Sequence, residues 1–314
     1  SVIALRDGSM AAHWLVKSGH STYAYDVNIA RSKDRGKTWD KPVVPHQDKT
    51  QTEHGFVSLI PLPDGRVGAV WLDGRNLKNV KDEDEHAALP ESMTLRYAAV
   101  DSQGKLSDET ALDDRVCECC QTAAALTSTG IIAAYRDRSE SEVRDISFVR
   151  NTGGGAWASP QTLHADKWQI NGCPVNGPAI AADGNKVAIA WFTGASNAPH
   201  VNVAFSANAG ATFGEPIQVD DGETVGRVDT LLLPDGSALV CWLAGTVESG
   251  ALKVRQIKAE GTMGPPTTIA QIDISRSSGF PRMARAGNEV FFAWTEFGKP
   301  SHVRMAMANF GRFP

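Results

Sequence analysis

The sequence predicts an all-β fold, a six-bladed β-propeller with four-stranded antiparallel blades. One observation is a unit in which a short apolar strand leads through a Gly turn into a second apolar strand that ends in an aromatic residue. This unit occurs six times along the 314 residues, at intervals of about 50 to 65 residues, which is typical of propellers. A second observation is a polar turn motif that begins at Ser32 and returns at Ser206. The third is that no long amphipathic helix interrupts the pattern.

The strand–turn–strand units start at the first residue. The first runs from Ser1 through Asp7 and Gly8 to Trp14, and Asp-Gly between apolar runs is the strongest short hairpin signal. Each unit leaves room for two further strands before the next begins, so the units predict one propeller domain over residues 1–314. Because the chain starts with Ser1 rather than Met, we interpret it as a mature or shortened form. The six units end at Trp14, Trp71, Tyr135, Trp191, Trp242 and Trp294.

The polar turn motif fixes a hairpin within a blade. An Asp or Asn side chain can accept hydrogen bonds from the backbone of its own turn, and Gly tolerates a positive φ. A β-branched Thr followed by an aromatic residue then re-enters a strand. A worn third copy at residues 150–157 keeps Gly154 and Trp157. The two full copies read Ser32-x-Asp34-x-Gly36-x-Thr38-Trp39 and Ser206-x-Asn208-x-Gly210-x-Thr212-Phe213.

Charge and hydropathy exclude some functions. The net charge of −5 and the pI near 5.9 argue against a general nucleic-acid binder, since such proteins carry basic surfaces. No apolar stretch reaches the length of a membrane span. Residues 76–91 form an insertion rich in Asp, Glu and Lys. It is predicted to be a solvated loop, with one short helical turn as the alternative.

Loops that enter the inner strands and loops that follow the second strands are expected to surround the central axis on one face. Several arginines fall in these loops, and their planar fork suits carboxylate, phosphate or sulfate. We therefore expect a small-molecule or glycan ligand, most naturally an anionic one. The alternative is that each arginine pairs with a nearby acid, as Arg138 could with Asp137 or Asp145. The candidate ligand-binding arginines are Arg75, Arg136, Arg138, Arg227 and Arg282, and the aligned loop entries are His54-Gly55, Cys119-Cys120, Asn176-Gly177, Val225-Gly226 and Ser278-Gly279.

Four of the five cysteines cluster at two neighbouring loop entries, and Cys241 is expected in the core. The first interpretation is one or two disulfides, which would imply a secreted or periplasmic protein. The second is a soft or borderline metal such as Cu(I) or Zn(II), held by the thiolates with His54 nearby. The spacing matches no zinc finger, and one disulfide would still leave two thiols. The clustered cysteines are Cys117, Cys119, Cys120 and Cys173.

The turn motif resembles the Asp-box (BNR) repeat of sialidases, and the chain resembles the sialidase superfamily in architecture over nearly all its length. The resemblance implies a glycoside hydrolase in which three arginines hold the substrate carboxylate. It also implies a Tyr nucleophile activated by a Glu, and an Asp as acid and base. Arg227 matches the inner-strand arginine of the fifth blade in that pattern.

Other positions depart from the family pattern. Residues 173–177 contain no acid where the family has its Glu, and residues 192–194 contain no Arg. Phe280 stands near the expected Tyr and has no hydroxyl, so Tyr23 and Tyr25 are the remaining nucleophile candidates. The acid, base or electrostatic candidates are Asp26, Glu53, His54 and Asp73.

Three functions stay open at this point. The resemblance favours an enzyme without a cofactor that hydrolyses an acidic glycan. The first alternative is an exported propeller that binds copper or zinc, or performs redox chemistry, through its cysteines. The second alternative is a non-catalytic module that binds an anionic glycan. The sequence does not indicate an oligomeric state.

Overall fold

The computed structural model describes residues 1–78, 92–107, 109–153, 155–246 and 249–309. The chain forms a six-bladed β-propeller, as predicted, with one antiparallel sheet for each blade. Gly154 of the third turn motif and residues 79–91 of the predicted insertion lie outside the described residues. Short 3-10 turns are the helical structure of the described part of the chain, and they lie at Arg75–Leu77, Ala195–Asn197 and Arg276–Ser278.

The chain divides into two compact units. One consists of Ser1–Leu126, Gly130–Thr162 and Gln169–Pro174. The other consists of Thr127–Thr129, Leu163–Trp168 and Val175–Pro314.

The first unit contains blades 1 to 3. Blade 1 is the sheet β1–β3, blade 2 is β4–β7 and blade 3 is β8–β11, and in each of them consecutive strands are neighbours. The strands are β1 (Val2–Ala4), β2 (Met10–Lys17), β3 (Tyr25–Ser32), β4 (His54–Pro61), β5 (Val67–Asp73), β6 (Met93–Val100), β7 (Thr110–Val116), β8 (Ala123–Leu126), β9 (Ile131–Arg136), β10 (Ile146–Asn151) and β11 (Gln161–Thr162).

The second unit contains blades 4 to 6, with the same meander order. Blade 4 is β12–β15, blade 5 is β16–β19 and blade 6 is β20–β22. The strands are β12 (Ala179–Asp183), β13 (Lys186–Thr193), β14 (His200–Ser206), β15 (Ile217–Gln218), β16 (Thr224–Leu232), β17 (Ala238–Thr246), β18 (Ser249–Ile257), β19 (Thr267–Gln271), β20 (Arg282–Ala286), β21 (Glu289–Glu296) and β22 (His302–Asn309).

Four strands per blade hold for blades 2 to 5, whereas blades 1 and 6 have three strands each among the described residues. In blade 1 the sequence leaves room for a fourth strand in the segment that follows the turn motif and contains Pro42 and Val43. It supplies only an isolated bridge between Ile29 and Val43. Pro42 explains part of this difference, because it has no N–H to donate to a longer ladder.

The aromatic residues that end the second strands form much of the core. Trp71 and Tyr135 are fully buried in the first unit, and Trp191 and Trp242 in the second. Every residue of β5 and β9 and most residues of β13 and β17 are buried, so both faces of these central strands are covered. Trp14 departs from the pattern because 40% of its side chain is exposed.

Both full copies of the polar turn form the predicted hairpin. In the first, the Asp34 carboxylate accepts hydrogen bonds from the Thr38 amide at 2.8 Å and the Thr38 hydroxyl at 2.6 Å. In the second, Asn208 Oδ1 accepts the Thr212 amide at 3.0 Å. Gly36 has φ of 85°, a conformation that favours glycine. The side chains therefore cross-link the turn as the sequence predicts.

Two inner strands enter their blades through a β-bulge. The pairing register shifts after Gly55 in β4 and around Gly226 in β16. Each glycine is followed by a residue with positive φ, at 51° for Phe56 and 54° for Arg227. Such bulges commonly re-aim a side chain at a strand end. In β16 the side chain that follows the bulge is that of Arg227.

Candidate functional sites

A cluster of histidines and acids lies at the start of blade 2. The antiparallel register places His54, at the first position of β4, opposite Asp73, at the last position of β5. His46 and Asp48 come from the preceding loop, and the rings of His46 and His54 stack with centroids 3.7 Å apart and planes 1° from parallel. The side chains of these four residues are almost completely buried.

The neighbours of the two ring nitrogens determine which protonation state of His54 is favoured. Its Nδ1 lies 3.1 Å from the Tyr25 carbonyl oxygen, which can only accept, so Nδ1 carries a hydrogen. Its Nε2 lies 3.3 Å from Asp48 Oδ1 and 3.6 Å from Asp73 Oδ2, which as carboxylates also only accept. The two carboxylates near Nε2 therefore favour the imidazolium form of His54. Burial opposes that charge, but the hydrogen bond to Asp48 and the nearby carboxylates raise the pKa of His54.

The acids of this cluster are held ionised by their partners. Burial favours the neutral form of Asp73, yet the hydrogen bonds from Arg75 lower its pKa. Arg75 Nε donates to Asp73 Oδ1 at 2.7 Å, and Arg75 Nη2 lies 2.6 Å from Glu109 Oε1. The pKa of Asp48 is likewise far below its usual range despite burial, because His46, His54 and Thr50 donate to it. The cluster is thus a compensated network of charges.

Solvent access separates the four predicted acid and base candidates. Asp73 and His54 are fully buried. Asp26 keeps 35% of its side chain exposed and has an oxygen 3.8 Å from His46 Nε2. Glu53 is half-buried. A sugar could reach Asp26 directly, whereas Asp73 would first have to leave Arg75.

The predicted cysteine cluster forms at the entry of blade 3. Cys119 and Cys173 form a disulfide, with Cα atoms 5.9 Å apart. Cys117 and Cys120 are buried thiols whose sulfurs lie 3.3 Å apart, and the Cys117 sulfur is 3.9 Å from that of Cys119. The disulfide expectation is therefore confirmed for one pair and leaves two neighbouring thiols. Cys241 is buried in β17, as expected for a core position.

Charged side chains surround the Cys117 thiol. Arg144 Nη1 donates to Cys117 Sγ at 3.2 Å and to Glu118 Oε2 at 2.9 Å. The hydrogen bond with Cys120 and the charge of Arg144 lower the pKa of Cys117 to about 7, although burial acts in the opposite direction. A thiol with this pKa is substantially ionised near neutral pH, and the thiolate is the reactive form.

Most candidate arginines of the first unit have local partners. The guanidinium of Arg138 pairs with Glu118 and, at 2.7 Å, with Glu142. Asp137, one of the acids expected to pair with it, instead accepts its backbone amide at 2.7 Å. Arg136 is buried and donates to the Arg144 carbonyl oxygen at 2.5 Å. Since Arg75 also pairs with acids, local pairing describes the first unit better than three convergent arginines.

Arg227 in the second unit has a different environment. It is 7% exposed, and its Nη1 donates to the carbonyl oxygens of Ser275 at 2.6 Å and Gly279 at 3.2 Å and to the Ser278 hydroxyl at 3.0 Å. All three partners are neutral. The guanidinium carbon lies 5.9 Å from the centre of the Phe280 ring. Among the described residues, no carboxylate forms an ion pair with Arg227.

Asn176 fixes the bulge that carries Arg227. Its Oδ1 accepts the Arg227 amide at 2.7 Å, and its Nδ2 donates to the Val225 carbonyl at 3.2 Å. The sequence analysis aligned the loop entries that contain Asn176, Val225 and Ser278. In this unit these three entries meet around the Arg227 side chain. Arg282, the other predicted arginine here, is 64% exposed and lies 3.7 Å from Asp229.

The sequence predicted the central residues of these sites but not most of the residues that contact them. His46 and Asp48 follow a turn motif in a stretch without periodicity. Glu109 lies far along the chain from Arg75, and Arg144 lies far from Cys117. One of these partners could have been predicted, because Glu118 lies between the clustered cysteines Cys117 and Cys119.

Comparison with known proteins places the fold. No family model matches the chain, and no curated protein matches it in sequence. Among solved structures it resembles the Hadza microbial sialidase Hz136, with a TM-score of 0.64 and 13% identity over 100% of this chain and 65% of that one. The chain thus spans just under two thirds of that sialidase.

Two further structures match over nearly their full length. The intramolecular trans-sialidase of Ruminococcus gnavus has a TM-score of 0.61 and 12% identity, over 100% of this chain and 94% of the other. The GH93 α-L-arabinofuranosidase of Fusarium graminearum has a TM-score of 0.63 and 14% identity, over 99% and 92%. The chain therefore has the six-bladed fold that sialidases share with an arabinofuranosidase. At such identities the likeness concerns the fold alone.

Proposed function

We propose that this propeller binds a carboxylate-bearing glycan through Arg227 and acts on it as a glycoside hydrolase. The observation that carries the proposal is a buried guanidinium whose partners in the described structure are all neutral. Burying a charge without a counter-charge is costly. An anionic ligand would offset that cost.

The chemistry of Arg227 suits a carboxylate. Its three recorded hydrogen bonds all use Nη1, and a guanidinium has further N–H groups on Nε and Nη2 that can bind a carboxylate in a bidentate manner. Burial lowers the pKa of Arg227 and the positive charge of Arg276 lowers it further, whereas the charge of Asp273, which forms no ion pair with Arg227 among the described residues, raises it. Two cations at one place raise the local potential that an anion experiences. The positive φ of Arg227 also fits a functional position, since backbone strain concentrates there.

Hydrolysis would require an acid and a nucleophile, and the first unit offers candidates for both among its own residues. Asp26 is the best acid in this proposal because its side chain is partly exposed. Tyr23, which is 39% exposed, and Tyr25 are the nucleophile candidates, as Phe280 lacks a hydroxyl. The fold shared with glycosidases supports hydrolysis by analogy, and the environment of Arg227 supports binding.

The first experiment measures binding separately from hydrolysis. Calorimetry and saturation-transfer NMR would compare N-acetylneuraminic acid and glucuronic acid with the neutral sugar arabinobiose. We expect the acidic sugars to bind, and Arg227→Gln to weaken that binding by about 10- to 100-fold, the usual size for a charged hydrogen-bonded contact. Arg66→Gln is the control, since Arg66 is exposed and pairs with Asp64. Equal binding of acidic and neutral sugars, or an unchanged Arg227→Gln variant, would overturn the proposal.

The second experiment tests hydrolysis with chromogenic glycosides of the same acidic sugars. Asp26→Asn should abolish turnover while leaving binding within about threefold. Binding without turnover in the wild type would favour the alternative of a non-catalytic glycan-binding module.

Two related proposals concern compartment and metal. The Cys119–Cys173 disulfide supports a secreted or periplasmic location, since such bonds persist in oxidising compartments. No helix of the described residues has the length and hydropathy of a membrane span. The copper or zinc alternative would need Cys119 and Cys173 reduced. It would also need His54, whose ring nitrogens face Tyr25 and two carboxylates. It is tested with the same cysteines below.

A further inference from the structure

We infer that the four clustered cysteines form a thiol–disulfide exchange site, in which the Cys117 thiolate attacks the Cys119–Cys173 disulfide and the Cys117–Cys120 pair ends as the new disulfide. The inference is independent of the glycan proposal. It rests on one disulfide and two thiols that are in mutual reach at the entry of blade 3.

The distances allow each step. Cys117 Sγ is 3.9 Å from Cys119 Sγ, close to van der Waals contact with the sulfur it would attack. Cys120 Sγ is 3.3 Å from Cys117 Sγ, so the second thiol is already beside the first. Cys117 and Cys120 form a Cys-x-x-Cys pair, a spacing that favours a short disulfide and a low thiol pKa.

Arg144 supplies the activation. Its Nη1 hydrogen bond to Cys117 Sγ, at 3.2 Å, stabilises the thiolate over the thiol. Glu118 and Glu142 bind the same guanidinium at 2.9 Å and 2.8 Å and hold it in place. Cys241, by contrast, is buried near Asp229, and burial raises the pKa of that thiol. Cys117 is thus an activated thiol, whereas Cys241 is an inert one.

The reaction balances without an external oxidant. In the first step a bond forms between the sulfurs of Cys117 and Cys119, the bond from Cys119 to Cys173 breaks, and Cys173 leaves as a thiolate. In the second step the Cys120 thiolate attacks Cys117, and Cys119 leaves as a thiolate. Protons pass from the attacking thiols to the departing thiolates. One disulfide and two thiols exist before and after, as in ordinary exchange through a mixed disulfide.

The exchange would release the segment Gln169–Pro174 from blade 3. In the structure this segment is held by the disulfide and by hydrogen bonds, including Ile170 N to the Glu142 carbonyl oxygen at 3.0 Å and Gln169 Nε2 to the Ser141 carbonyl oxygen at 2.8 Å. Breaking the disulfide leaves only the weaker contacts. Whether the disulfide joins Cys119 to Cys173 or Cys117 to Cys120 therefore controls how firmly Gln169–Pro174 is attached.

Disulfide mapping tests the inference on the whole chain. Protein purified without reductant would be incubated anaerobically at neutral pH, quenched with acid, alkylated and digested for mass spectrometry. We expect the Cys119–Cys173 linkage to be joined over time by a Cys117–Cys120 linkage, with Cys119 and Cys173 becoming alkylated. Cys120→Ser should stop at the Cys117–Cys119 linkage, and Cys117→Ser should keep the original linkage throughout. Cys241→Ser is the matched control and should exchange like the wild type.

Arg144→Lys probes the activation with the charge retained. Losing the planar hydrogen bond to Cys117 should slow exchange by roughly fivefold, because a rise of about one unit in thiol pKa lowers the thiolate fraction at neutral pH from about one half to about one tenth. Only a Cys119–Cys173 linkage in the wild type at all times would overturn the inference. Stoichiometric copper or zinc by elemental analysis of the same samples, together with reduced Cys119 and Cys173, would also overturn it and establish the metal alternative.

Discussion

At the scale of single residues, His54 is the most consequential buried charge of the first unit. It lies between Asp48 and Asp73, so replacing it removes a cation from beside both carboxylates, and Asp73 keeps Arg75 at 2.7 Å as its partner. Breaking a buried pair in this way typically costs about 3 kcal/mol or more. We therefore expect His54→Gln to lower the free energy of unfolding by ~3 kcal/mol, measured by urea denaturation near pH 6.

The direction of the pKa shift of His54 determines how this loss of stability depends on pH. Folding raises the pKa of His54 above its ordinary 6.5, so the stabilisation is complete below that pH and is lost as pH rises through the folded value. The difference between wild type and His54→Gln should accordingly shrink toward alkaline pH. The control is His164→Gln, because His164 is 41% exposed. A difference that does not change between pH 6 and 9 would contradict an imidazolium at this site.

Asp34 provides a second residue-scale prediction. The hydroxyl and amide of Thr38 lower the pKa of Asp34 to about 2, so its contribution to stability is present above the unfolded pKa near 4 and lost as pH falls toward 2. Asn208 makes the same turn without a charge. The melting-temperature difference between wild type and Asp34→Asn should therefore vanish between pH 4 and pH 2. Asn208→Asp should gain the same pH window, and a constant difference for Asp34→Asn would refute the argument.

Residues also show where sequence reasoning ends. In the sequence, Arg75, Arg138 and Arg227 were all candidate ligands for an anion. Their difference depends on acids brought near by tertiary structure, Glu109 for Arg75 and Glu118 for Arg138. Residue type gives the chemistry that a side chain can perform, whereas neutralisation by a neighbour depends on contacts between separate strands and loops.

At the scale of elements, the bulge in β16 explains how a strand can present a buried arginine to a ligand. Gly226 has φ of 78°, and a Cβ there would lie 2.7 Å from the Phe192 Cβ atom. The sequence aligned Gly226 with the other loop entries, so its position was predictable. The register shift was not predictable, because it depends on the pairing with β17.

Gly226→Ala tests this element. A side chain in the left-handed region costs about 1–2 kcal/mol, and the contact with Phe192 adds to that. We expect a loss of roughly 2 kcal/mol or more in stability and weaker binding of acidic sugars, since Arg227 would move. Gly214→Ala is the matched control, as its Cβ would meet the Phe205 carbonyl oxygen at an ordinary 3.9 Å. Unchanged acidic-sugar affinity in a folded Gly226→Ala variant would show that the bulge does not position Arg227.

At the scale of the whole molecule, repetition made the fold predictable. Asp-Gly turns such as Asp64-Gly65 and Asp235-Gly236 fix hairpins by local chemistry, and the buried aromatic residues at the ends of second strands repeat one packing solution in blades 2 to 5. The outer strands are less predictable. Short strands such as Gln161–Thr162 and Ile217–Gln218 carry too few residues for a period to show.

The same repetition predicts how the molecule unfolds. A single domain over residues 1–314 should unfold in one calorimetric transition whose van't Hoff and calorimetric enthalpies agree, at about 200 kcal/mol for a chain of this length. The chain also divides into two compact units, which would give two transitions if each folded alone. His54→Gln in the first unit and Gly226→Ala in the second distinguish the cases. Under one cooperative transition either variant shifts the entire melting curve, because destabilising any blade destabilises all six. A variant that shifts only about half of the unfolding enthalpy would instead show that its unit unfolds alone, and the single-domain prediction would then be wrong.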